Sequence, residues 1–147
     1  MTPLDERPPA EVYTLAIGLT LVAAGILGFF YDASFATGDG AHREAALGLF
    51  DVDGWSNVLH IVSGATGLFL VGSYAGSRAY ALGAGVLYLA IAALGFVAGS
   101  GDAILDLLPV NTADNFLHLL IGLAGVGAGL ATPRQEPDLA MARQASV

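Results

Sequence analysis

The chain alternates long apolar runs with short polar stretches. Between Val12 and Tyr31 no residue is charged. At about 1.5 Å of rise per helical residue, such a run crosses a hydrocarbon core of about 30 Å. Similar runs follow at about 57–74, 80–98 and 115–132. Each predicts a transmembrane helix, and the last has the shortest apolar part. Pro3, Pro8 and Pro9 mark Met1–Glu11 as an extended polar tail. Asp5, Glu6 and Glu11 outnumber Arg7 there, so the first run reads as a retained helix rather than a signal peptide. Asp32 stops that run. Gly76, Ser77 and Arg78 predict a tight turn between the second and third runs. Residues 99–102 break the third, and Pro109 lies in the next loop. The fold expected is an all-α membrane protein of four transmembrane helices: a polar tail over 1–11, one bundle over 12–132 and a disordered polar tail over 133–147.

The runs are also self-similar. Tyr13-Thr14-Leu15-Ala16-Ile17-Gly18 matches Tyr80-Ala81-Leu82-Gly83-Ala84-Gly85, and Leu27-Gly28-Phe29 matches Leu94-Gly95-Phe96 in the same register. Asn57-Val58-Leu59-His60 matches Asn115-Phe116-Leu117-His118, and Gly64 and Gly67 match Gly122 and Gly125. In the loops, Leu47, Leu49 and Val52 answer to Leu105, Leu107 and Val110. The offset falls from 67 to 58 between the first and second helices of the repeat, so the first loop carries nine extra residues near 33–41. A tandem-duplicated helical hairpin is expected, with a pseudo-two-fold axis along the membrane normal.

Within the loops, Ala45–Phe50 and Ala103–Leu108 are short, apolar and bounded by acids, which predicts two brief helices at the interface. Asp53 and Asn111 are placed to cap the spans that follow. The Asn-x-Leu-His opening of the second span, the Tyr-x-Leu third span and the stretch Leu108-Pro109-Val110-Asn111-Thr112-Ala113-Asp114-Asn115-Phe116-Leu117-His118 resemble the bacterial domain-of-unknown-function 4383 family. The resemblance covers nearly the whole chain between the tails. It implies a small four-helix membrane protein, and it brings no catalytic residues with it.

Composition narrows the picture further. Hydrophobic residues make up 55% of the chain, against roughly 45–50% in soluble domains. With no cysteine, disulfides, thiolate metal sites and cysteine nucleophiles are excluded. A net charge of −8 argues against nucleic acid and against a polybasic lipid-docking patch. Arg7, Arg78, Arg134 and Arg143 flank the spans on one side. Arg43 is the lone arginine among the acids of the other. The positive-inside rule then predicts a multi-pass protein of the plasma membrane with both termini cytoplasmic, a bacterial inner membrane being what the resemblance implies.

Candidate chemistry centres on His60 and His118, each about one turn inside its span. At helical spacing Asn57, His60, Gly64 and Gly67 share one stripe, and Asn115, His118, Gly122 and Gly125 share its twin. The glycines of these stripes, with Gly18, Gly25 and Gly28 and their counterparts Gly85, Ala92 and Gly95, predict close helix packing. An ionisable residue inside a span is a functional candidate, so a haem or metal role for the histidines stands beside the plainer role of joining helices. Two histidines without a third ligand make a weak metal site, and no cofactor is expected. Ser56 and Ser63 lie near His60, yet no acid within the span completes a hydrolase constellation. Trp55, Tyr31 and Tyr74 predict an aromatic belt. Tyr88 and Thr20 are mid-span hydroxyls. No Asp, Glu, Lys or Arg falls within the four runs, which disfavours proton-coupled pumps.

The expectation is a non-enzymatic structural or accessory bundle. Its partners are the lipid bilayer and other membrane proteins or further copies of the chain, not nucleic acid. A haem- or metal-binding redox module using His60 and His118 is the alternative, and a small-molecule channel or carrier the second.

Overall fold

A computed structural model describes residues 3, 6–38, 44–99 and 103–134. Its helices are α1 (Pro9–Gly28), α2 (Gly54–Leu70), α3 (Tyr74–Ala98) and α4 (Thr112–Ala131). Helices α1, α3 and α4 are long and apolar enough to cross a membrane. With 17 residues, α2 is about 26 Å long, a little less than a typical hydrocarbon core.

Several boundaries depart from the expected ones. Helix α1 starts at Pro9, so Pro9–Glu11 belongs to the helix and not to an extended tail. Proline suits the first helical position because its missing N–H has no intrahelical partner to lose. The N–H of Ala10 is satisfied by Thr132 Oγ1 at 2.9 Å. Gly76, Ser77 and Arg78 lie inside α3, which starts at Tyr74 behind the cap Ser73. The turn therefore falls at 71–73, because the Ser73 hydroxyl accepts the Gly76 N–H and fixes the first turn of α3. Gly99 ends α3 with φ 99°, and the rest of the break at 100–102 lies outside the described residues, as does the tail from 135.

The two brief interfacial helices are instead antiparallel hairpins. Strand β1 (Glu44–Ala46) pairs with β2 (Phe50–Val52), and β3 (Ala103–Ile104) with β4 (Leu108–Pro109). Each apolar run is too short to offset the cost of helix nucleation. It turns back on itself through two successive left-handed residues: Leu47 and Gly48 at φ 56° and 68°, and Leu105 and Asp106 at φ 55° and 56°. The first hairpin is tied to the start of α4. Asp51 N–H donates to Asp114 Oδ2 at 3.0 Å, and Asn111 Nδ2 donates to Leu49 O at 2.9 Å.

The helix faces that meet are rich in small residues, and many large apolar side chains point outward. Along α1 the buried positions include Ala10, Thr14, Gly18, Leu21, Gly25 and Gly28, recurring every three or four residues. Phe69 is 86% exposed and Val97 84%. An apolar surface of this kind suits lipid better than water. Helix α1 packs most extensively on α2, and α3 on α4. In both pairs the backbones touch. A Cβ at Gly64 would lie 2.7 Å from Gly18 O, and one at Gly122 would lie 2.9 Å from Gly85 O. The two pairs meet through tyrosines. The Tyr13 hydroxyl packs on Gly125 of α4, and the Tyr80 ring on Gly67 of α2.

Candidate functional site

The hairpin end of the bundle is built from the first turns of α2 and α4. Asp53 caps α2 and forms a capping box with Ser56; Asn111 caps α4 and forms one with Asp114. These boxes satisfy the first N–H groups of each helix and fix its entry. Burial pushes the Asp53 carboxyl above the usual range, opposed by hydrogen bonds from Ser56 and Trp55, while nearby Asp32 adds to the rise. One turn further in, Ser56 is followed by His60 and Asp114 by His118, each at the four-residue spacing that places side chains on one helix face.

The structure brings His60 and His118 together, with ring centroids 6.4 Å apart and planes tilted by 53°. Tyr88 of α3 lies beside them, its ring centroid 5.5 Å from that of His118. The Tyr88 hydroxyl meets Ser63 Oγ at 3.2 Å. A cavity of about 20 Å³ opens between these groups, with Ser56, Asp51, Asp114, Leu59 and Ile91 among its walls. His118 Nδ1 is buried with no hydrogen-bond partner.

Asn57 and Asn115 do not join the histidines. Asn57 Nδ2 donates to Asp32 O at 2.8 Å, and its Oδ1 faces Gly28. Asn115 Oδ1 faces Gly95 in the same way. Both amide oxygens are buried without a hydrogen-bond partner. Their neighbours are glycine backbones, against which a Cα–H can supply a weak contact. The stripe read from the sequence thus divides between neighbours: Asn57 and Gly64 face α1, Gly67 faces α3, and His60 faces His118. Neither serine near His60 bonds its imidazole. Ser56 belongs to the capping box, and Ser63 Oγ donates to the His60 carbonyl.

Tyr88, Ser63, Asp51 and Asp114 are the site residues that periodicity did not gather. The offsets of 67 and 58 expected from the sequence set Leu21 against Tyr88 and Ile121 against Ser63, so the available signal is a hydroxyl pair standing where the matched positions are apolar and buried.

Among the described residues, no group of three or more His, Cys, Asp or Glu is arranged to hold a metal ion. The cavity has room for about one water. With Leu59, Tyr88 and Ile91 in its walls, a porphyrin has no space between the rings as they stand. The chemistry this arrangement offers is hydrogen bonding by two imidazoles, a phenol and two carboxylates beside apolar walls.

A mostly helical chain with three helices of membrane-crossing length and a polar cluster at one end is the class these features define. The family described as domain of unknown function (DUF4383) matches residues 11–131, and the chain belongs to it. No curated protein and no solved structure gives a match.

Proposed function

We propose that the chain is a multi-pass integral membrane protein of four spans, a duplicated helical hairpin acting as a non-enzymatic accessory or structural bundle. The carrying observation is the pairing of asparagine with glycine at Gly28/Asn57 and Gly95/Asn115. The duplication reading draws further support from the backbone contacts Gly18/Gly64 and Gly85/Gly122, and from the left-handed leucines Leu47 and Leu105. On this reading α2 is the fourth span, because Val58, Val62 and Phe69 present an apolar exposed face like those of its neighbours. The reading puts both termini and the 71–73 turn on the cytoplasmic side and the hairpins outside, with the distribution of the arginines as its support.

Purification from the native membrane in mild detergent tests the accessory role. The reading predicts a stoichiometric complex with another membrane protein. A chain that runs alone and carries a tightly held chromophore or metal overturns it. The second reading, a ligand-binding module, rests on the His60–His118 approach at 6.4 Å. Substituting either histidine by alanine separates the two. The accessory role predicts retained assembly, and the module predicts lost binding.

A further inference from the structure

The cavity at the hairpin end joins three independent facts. It has a volume of about 20 Å³, enough for about one water. His118 Nδ1 is buried and lacks a partner. An imidazole nitrogen must donate or accept a hydrogen bond, and leaving it unmet in an apolar site is unfavourable. Asp114 lines the same cavity one helical turn away, on the same face of α4. A buried water needs two to four polar partners, and the walls supply them.

We propose that this cavity is a hydration site in which one water bridges His118 Nδ1 to the Asp114 carboxylate and gives that buried nitrogen a proton-exchange route to solution at the hairpin end. A proton that reaches the water from one partner leaves from its far side toward the other, so the water keeps its composition and no co-reactant is consumed. The titratable groups that line the cavity besides His118 are Asp51, Asp114, His60 and, from α3, Tyr88. Tyr88 is fully buried and its hydroxyl is already partnered by Ser63. The proposal goes beyond the accessory reading and holds whichever side of the membrane the hairpins face.

The test uses the full chain labelled with ¹⁵N-histidine in lipid nanodiscs, with His118→Gln used for assignment. Magnetisation transfer from water to the His118 ring is the readout. The bridge predicts a direct water contact at His118, abolished in Val110→Ile, whose added methyl occupies the cavity. The same variant should melt at a lower temperature, since His118 Nδ1 loses its partner. No water contact at His118 in the unaltered chain overturns the proposal. So does a Val110→Ile variant that melts higher, because filling a dry cavity only improves packing. Where Val110→Ile fails to fold, the water contact in the unaltered chain decides alone.

Discussion

Asn115 sets its side-chain oxygen directly against the backbone of Gly95, where a Cβ would overlap it. Helix α3 meets α4 there with nothing between amide and main chain. Gly95→Ala should therefore force the helices apart and lower stability by about 1–3 kcal/mol, the usual range for overpacking. Gly28→Ala, facing Asn57, should behave alike. Thermal melts in detergent check the loss. Shortening the partner, as in Gly95→Ala with Asn115→Ala, should recover part of it, since contacting residues are not additive. Additive losses would mean that the two residues act separately.

Leu47 and Leu105 hold left-handed backbone at φ 56° and 55°, with side chains 80% and 87% exposed. A left-handed leucine costs about 1–2 kcal/mol, and no burial of the side chain offsets it. Glycine at either position removes the strain but adds freedom to the unfolded chain. Leu47→Gly and Leu105→Gly should each gain about 0.5–1 kcal/mol net. Equilibrium unfolding measures the change, and a loss on substitution would show that the leucine side chain is held by a contact.

Asp53 gives stability a pH dependence of definite sign. Its folded-state pKa lies above the ordinary value of 3.8 because the carboxyl is buried. A raised folded pKa makes its contribution complete below the ordinary value, and that contribution falls away as pH rises through the folded one. Relative to Asp53→Asn, the native chain should lose melting temperature as pH climbs upward from 3.8 and then level off. Gain over that interval would mean that the hydrogen bonds from Ser56 outweigh burial.

The helices were legible because lipid-length apolar runs have no competing reading in a chain this short. The loops were not. Ala45–Phe50 and Ala103–Leu108 are apolar six-residue runs whose composition fits a helix as well as a strand. Their turns use Leu47, Leu105 and Asp106 at positions where glycine or asparagine gives the usual signal, and only Gly48 offered it. The 71–73 turn is masked in the sequence because Gly76-Ser77-Arg78 has the stronger turn composition, while Ser73 acts only through its cap on α3. His60 and His118 were found as candidates by their depth and doublet spacing. Tyr88 and Ser63 come from α3 and α2, and no single-helix stripe could join them. The division of the stripe, with Asn57 toward α1 and His60 toward α4, depends on helix rotation within the bundle, which spacing alone leaves free.

A four-span bundle requires that α2, with 17 residues, cross the bilayer. The chain has no native cysteine, so single-cysteine variants report cleanly. Leu47→Cys and Leu105→Cys probe the two hairpin tips, and Gly72→Cys probes the turn between α2 and α3. In sealed membrane vesicles, a membrane-impermeant maleimide should label positions 47 and 105 from one face and position 72 only from the other. Labelling of 47 and 72 from the same face would take α2 out of the membrane and remove the four-span duplicated bundle.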